Sequence, residues 1–221
     1  DVYVEPFVGG GSLFFAKPLA KKNVINDVDP DLINAYKQLA KKKCSEVQAC
    51  KPMKTKAQFH TAKDQSTTSF CAYLGHNKIA FGGDPSGGFA QKAVDRSFKN
   101  TKLKNNCDCY QEKLKNTTIL NQDVKTVFEK NDSKNTFTYL DPPYHETAGY
   151  GKNNRKIDPS EICSMVKNAK GKVLLSYNDH PAVKKACKGL KITKVKTRYS
   201  VHSETRIKAG IPKTELLIRN Y

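Results

Sequence analysis

No run of eighteen apolar residues occurs in these 221 residues, so no segment has the length and character of a membrane-spanning helix. A secretory leader is missing as well, and the expected location is cytoplasmic, or intracellular in a viral or nucleoid-associated setting, rather than secreted. The opening, 1-DVYVEPF-7, starts so abruptly inside a strand-like run that further residues upstream are expected. No internal repeat is found. Acidic residues are few: 21 Asp+Glu face 39 Lys+Arg, leaving a formal charge of +18. That imbalance speaks for a polyanionic partner rather than for any fold. A solvated lysine surface is the plainer alternative, because the lysines are scattered and arginine is scarce. Apolar residues make up 38% and mean hydropathy is -0.65, the polar end of the globular range. The length still suits one large α/β domain, or a domain carrying an insertion. Seven cysteines, an odd number with no leader, are expected to be reduced thiols. Cys107 and Cys109, in 107-CDC-109, lack the second pair of a zinc ribbon, so free thiols and no metal are expected there.

What is present alternates. A strand over 2-VYVEPF-7 runs into the glycine turn 8-VGGGS-12 and the helix start 13-LFFA-16. A second strand, 23-NVIND-27, ends on Asp27, and 29-DPDLINAYKQLAKK-42 reads as a helix with Pro30 in its first turn. Residues 43–115 differ in character: weak periodicity, many lysines and asparagines, and a Gly-rich 81-FGGDPSGGF-89. They read as an insertion. Strand character resumes at 117-TTILNQD-123, followed by a helix over 124–130 and a strand over 136-TFTYLDPPY-144. A polar loop, 147-TAGYGKNNRK-156, has the composition to close over a ligand. The helix 159-PSEICSMVKNA-169, the strand 172-KVLLSYND-179 and two final strands over 192–203 and 214–221 complete the order. Alternating strands and helices imply a parallel, doubly wound sheet.

Three strand ends carry chemistry. The glycine run 9–11 between strand and helix lets a ligand approach the backbone. It is not a phosphate-binding P-loop, since no Gly-Lys-Ser/Thr follows, and Phe14 stands where a dinucleotide fingerprint has its third glycine. A tight turn is the alternative. Asp27 lies where nucleoside-binding folds place an acid for ribose hydroxyls; it could equally serve the dipole of the following helix, a task open to Asp29 too. Asp123 could accept an adenine amino group or be a plain surface acid. In 141-DPPY-144 the prolines end the strand and leave a carboxylate, a rigid turn and an aromatic ring at its edge. A purine amino group is a poor nucleophile, its lone pair being delocalised into the ring. The Asp141 carboxylate and the Pro142 carbonyl could grip its two hydrogens and push the nitrogen toward tetrahedral geometry. Pro143 fixes where that carbonyl points, and Tyr144 could stack on a base extruded from its duplex.

At these residues the sequence resembles the N6-adenine DNA methyltransferases of the Dam-like group, the D12 class, alpha order of motifs. The resemblance rests on 5-EPFVGGGSLFF-15, 26-NDVDPDLINAYK-37, Asp123, 141-DPPY-144 and 175-LSYND-179, and spans most of the chain. It implies an α/β, Rossmann-like S-adenosylmethionine-dependent fold with an inserted target-recognition domain and a C-terminal antiparallel hairpin. It implies S-adenosylmethionine bound by Glu5, Phe7, Gly9, Gly11, Asp27, Asp123 and Asp141. The implied catalytic residues are Asp141, Pro142, Pro143 and Tyr144, with no metal. Residues 1–42 and 116–221 would form the catalytic domain, and 43–115 would read duplex DNA. Lys78, Lys92 and Arg96 in the insert, with Lys152 and Arg206, are the candidate DNA contacts. Family members usually carry a Lys- and Gly-containing segment before the first strand. The expectation is therefore a fragment, a second polypeptide supplying that wall, or impaired cofactor binding. The alternative function is a catalytically inactive DNA-binding or structural relative, with RNA or protein nitrogen as a further target class.

Overall fold

In order along the chain lie β1 (Val2–Glu5), α1 (Ser12–Ala16), β2 (Lys22–Asn26), α2 (Pro30–Lys41), α3 (Cys44–Gln48), α4 (Lys56–Gln65), α5 (Phe70–Ile79) and α6 (Cys107–Lys115). There follow β3 (Thr117–Leu120), α7 (Val124–Asn131), β4 (Thr136–Leu140), α8 (Pro159–Asn168), β5 (Lys172–Asn178), α9 (Pro181–Ala186), β6 (Lys191–Tyr199) and β7 (Ile211–Arg219). The structure, a computed structural model, describes residues 1–51, 53–65, 69–79, 89, 105–145, 157–199 and 211–221. Its strands form one sheet in the order β3-β2-β1-β4-β5-β7-β6, the first five parallel and β7 antiparallel to both neighbours. The fold is Rossmann-like, as expected, down to the C-terminal antiparallel pair.

The sheet is covered on both faces, so its central strands alternate between two apolar environments. Tyr3 and Ile25 face a cluster with Phe14, Ile33, Tyr36 and Leu39 from α1 and α2. Val4 and Val24 turn the other way toward Val127 of α7. Leu140, Val173, Leu175, Leu216 and Ile218 pack with Ile162 and Val166 of α8 and Val183 of α9. Each fully buried side chain of this size contributes about 1.5–3 kcal/mol. In α2, Asp29 caps the helix by accepting from the backbone N–H groups of Asp31 and Leu32, and Pro30 occupies the first turn.

The strands stop slightly earlier than their patterns suggest. β2 ends at Asn26 and β3 at Leu120, so Asp27 and Asp123 stand in the loops beyond. Residues 43–115, weakly periodic in sequence, contain α3 to α6. Gln111 of α6 donates through Nε2 to the carbonyls of Leu39, at 2.9 Å, and Lys42. α5 is tied to α2 by the Phe70 N–H donating to Gln38 Oε1 at 3.0 Å. The loop expected over 147–156 and most of the Gly-rich stretch 81–89 lie outside the described residues.

The expectation of reduced thiols is overturned. Cys44 pairs with Cys107, Cys50 with Cys71 and Cys163 with Cys187, at Cα separations of 5.7, 5.2 and 5.1 Å, leaving Cys109 exposed as a free thiol. The partners are 63, 21 and 24 residues apart, so spacing gave no hint of them. An odd count signals one unpaired cysteine and says nothing about the others. The thiol count therefore no longer speaks for a reducing compartment. Among the described residues, no helix is long and apolar enough to cross a membrane.

Candidate active site

The order in which strands are added reverses between the parallel neighbours β1 and β4: β2 and β3 lie on one side, β5 and then the antiparallel β7 on the other. Such a switch point opens a crevice at the carboxyl ends of the strands. The glycine loop leaves β1 on one wall and 141-DPPY-144 leaves β4 on the other.

The glycine loop is pinned from beneath. Gly9 and Gly11 have φ of 45° and 66°, the left-handed region that favours glycine. The Gly9 N–H donates to Asp27 Oδ2 at 3.0 Å, while Tyr36 donates through its hydroxyl to the Gly9 carbonyl at 2.7 Å. Asp27 Oδ1 accepts the Asp29 N–H at 3.0 Å. The two acids that sequence could not tell apart thus divide the work: Asp29 caps α2 and Asp27 braces the glycine loop. Burial raises the Asp27 pKa, and the backbone N–H groups of Asp29 and Gly9 oppose that rise. Asn26, almost wholly buried, donates to the Pro6 and Gln122 carbonyls, both at 3.0 Å, and accepts the Gln122 N–H at 2.9 Å, tying the loops after β1, β2 and β3 together. A Cβ built on Gly9 or Gly10 would meet nothing within 4 Å, so the space above them is open.

The other wall is polar. Glu5, 2% exposed at the end of β1, accepts the Tyr3 hydroxyl at 2.6 Å. Burial lifts its pKa to about 7; the Tyr3 hydrogen bond opposes this, and the charge of Asp141 adds to it. Asp141 is itself raised to about 6, by desolvation first and then by the charge of Glu215, with a Tyr139 hydrogen bond opposing. By surface area Asp141 is exposed, so its carboxyl is crowded by protein on one side and open to the crevice on the other. Pro142 is buried and Pro143 half-buried. Tyr144 donates through its hydroxyl to Glu215 Oε1 at 3.0 Å, lies 3.4 Å from Ser176 Oγ, and stacks on Tyr177 with ring centroids 6.0 Å apart. Asn178 clamps the next residue, accepting the His145 N–H at 3.1 Å and donating to its carbonyl at 3.0 Å.

A carboxylate, a fixed carbonyl and an aromatic ring facing a glycine loop are the parts that a base-modifying enzyme needs, and the comparisons name the class. The family model of the D12 class N6 adenine-specific DNA methyltransferases matches residues 1–201. The chain belongs to this family. As a D12 methyltransferase it is also similar to a type II methyltransferase, M.CviBI, of Paramecium bursaria Chlorella virus NC1A, with 26% identity over 250 residues, covering 100% of this chain and 90% of that protein. Among solved structures it is similar to precorrin 8W decarboxylase of Methanobacterium thermoautotrophicum, at 10% identity and a TM-score of 0.41, over 100% of this chain and 81% of that one. The full-length match to methyltransferases does not favour the reading as an inactive structural relative.

Within the methyltransferase the residues singled out by sequence have the following places. Glu5, Gly9, Gly11 and Asp27 gather at the ends of β1 and β2. Phe7 is half-buried and packs on the cluster that holds Leu140 and Phe128, on the DPPY side of the glycine loop. Asp123 is half-buried and caps α7, accepting the Lys125 N–H at 2.9 Å. Lys78 falls in α5, and nothing of its side chain is described; Lys92, Arg96, Lys152 and Arg206 lie outside the described residues. Sequence reasoning missed Tyr3, Asn26, Tyr36, Tyr139, Ser176 and Glu215. Asn26, Tyr36 and Ser176 stood inside motifs quoted for the resemblance, but none was singled out. Glu215 reaches Tyr144 from 71 residues away and left no local signal.

Proposed function

We propose that this methyltransferase transfers a methyl group from S-adenosylmethionine to N6 of an adenine extruded from duplex DNA. The observation that carries this reading is that β1 and β4 are direct parallel neighbours, so the glycine loop after β1 and the DPPY motif after β4 leave the same edge of the sheet side by side. The open space over Gly9 and Gly10, with Asp27 beside it, fits a nucleoside cofactor. Glu5, Phe7, Gly9 and Gly11 would line it, Asp27 would face its ribose and Asp123 its adenine. When bound, the cofactor supplies an electrophilic methyl on a sulfonium.

The chain's own residues do the rest. Asp141 and the Pro142 carbonyl accept the two N6 hydrogens, holding the amino group and strengthening as positive charge develops on nitrogen. Pro143 keeps the carbonyl aimed, and Tyr144 supports the base. A carboxylate with a pKa near 6 is a better acceptor than an ordinary aspartate and is still ionised at neutral pH. Residues 43–115 would read the target sequence, and Lys78, Lys92, Arg96, Lys152 and Arg206 would hold phosphate.

The test is calorimetric titration with S-adenosylmethionine, followed in the same preparation by methyl transfer to adenine-containing duplex DNA. Binding with transfer is expected in the wild type, and binding without transfer in Asp141→Ala. Wild-type rates in that variant would overturn the assignment.

A further inference from the structure

β7 runs antiparallel beside β5 in a register that sets Glu215 opposite Asn178 and Leu216 opposite Tyr177. Leu216 and Ile218 go into the core with α8 and α9, so the alternation turns Glu215 to the other face. There it accepts the Tyr144 hydroxyl at 3.0 Å. Ser176, one residue from Tyr177 on β5 and 4% exposed, lies 3.4 Å from the same hydroxyl. A line of polar side chains therefore runs Ser176, Tyr144, Glu215 across the ends of β4, β5 and β7. We propose that Glu215 is a positioning residue for methyl transfer, holding the Tyr144 hydroxyl so that the ring is already set at the angle at which the extruded base stacks.

The physical case begins with the ring. Tyr144 follows two prolines in a loop, and a loop aromatic held only by packing samples a range of angles. Tyr177 limits it on one side by stacking, with planes 22° apart. The hydroxyl anchor removes rotation about the remaining direction, and an ionised acceptor makes that hydrogen bond stronger than a neutral one. A stacking platform fixed before the base arrives spares the ordering cost at the moment of binding. Glu215 also acts on Asp141 through its charge, so the residue that sets the ring bears on the acceptor of the amino hydrogens as well.

The inference rests on the proposed function, and the experiment separates the two. Transfer rate, KM for DNA and KM for S-adenosylmethionine are measured for the wild type, Glu215→Ala, Glu215→Gln, Tyr144→Phe and the double variant Glu215→Ala with Tyr144→Phe. A duplex with 2-aminopurine at the target position reports base stacking by fluorescence. Removing one hydrogen bond to a charged group is expected to lower kcat by roughly 10- to 100-fold. Glu215→Ala should show that loss with an unchanged KM for S-adenosylmethionine and brighter 2-aminopurine. Glu215→Gln, whose amide oxygen still accepts, should recover most of the rate. Tyr144→Phe should resemble Glu215→Ala, and the double variant should be no worse than either. Wild-type kinetics in Glu215→Ala, additive losses in the double variant, or no recovery in Glu215→Gln would each overturn the inference while leaving the function standing. No transfer by the wild type would overturn the function and the inference with it.

Discussion

Asp141 is held where its charge is unwelcome to the folded state. Desolvation and the Glu215 charge raise its pKa from the ordinary aspartate value to about 6, so the folded protein binds a proton there that the unfolded chain releases. Its contribution to stability is therefore full below the unfolded value and is lost as pH rises through about 6. Two outcomes follow from that sign. Asp141→Asn should abolish transfer, and above pH 7 it should melt at a higher temperature than the wild type, a gain that vanishes at pH 4 in matched thermal melts. The wild-type rate should fall as pH drops through about 6, since the ionised Asp141 carboxylate is the stronger acceptor for its N6 hydrogen and stabilises the positive charge developing on nitrogen; a rate flat from pH 8 to 5 would contradict this. The aspartate itself was legible because four residues in one order announce it. Its neighbours Tyr139, Ser176 and Glu215 were not, because they come from three strands and meet only in the sheet.

Among the elements, the glycine loop and the stapled helices make the most distinct predictions. Gly11 has φ of 66°, and a Cβ there would meet Phe15 at 2.8 Å and the Tyr36 hydroxyl at 2.9 Å. Gly11→Ala pays for the left-handed backbone, about 1–2 kcal/mol, and also pushes on the tyrosine that holds Gly9. It should lower the melting temperature and weaken S-adenosylmethionine binding together, as read by calorimetry. The Cys44–Cys107 bridge joins the starts of α3 and α6 across 63 residues. On the chain-entropy account, losing it costs roughly 2–4 kcal/mol. Cys44→Ser should lower the midpoint by roughly 5–15 °C in a thermal melt, given the usual size scaling. A reduced wild type that melts like the oxidised one would remove the bridge from the stability account. Strands, α2, α7 and α8 were readable from apolar spacing, whereas α4, α5 and α6 in the weakly periodic insert were not. α9 was not picked out, since its six residues are too short for periodicity to register.

At the scale of the whole molecule, a formal charge of +18 with exposed Lys191, Lys194 and Lys196 on the edge strand β6 suits a polyanion more than a neutral partner. If lysines hold phosphate, duplex affinity should fall steeply and linearly in log-log form as salt rises. A flat response in fluorescence anisotropy between 50 and 300 mM salt would favour a merely solvated surface. The charge was visible in composition, whereas the placing of these three lysines on an edge strand follows from the sheet order.

Local order was written in the chain: the alternation of strands and helices, a helix after Pro30, and that Asp-Pro-Pro-Tyr ends a strand with a carboxylate and a ring. These depend on backbone rules that act over a few residues. Contacts between distant segments were decided by tertiary structure alone. The parallel sheet brings the β1 and β4 loops to one crevice, the antiparallel β7 carries Glu215 to Tyr144, and three pairs of cysteines meet across 21 to 63 residues. Such encounters depend on how whole layers pack, and spacing along a chain does not report distance through a folded core.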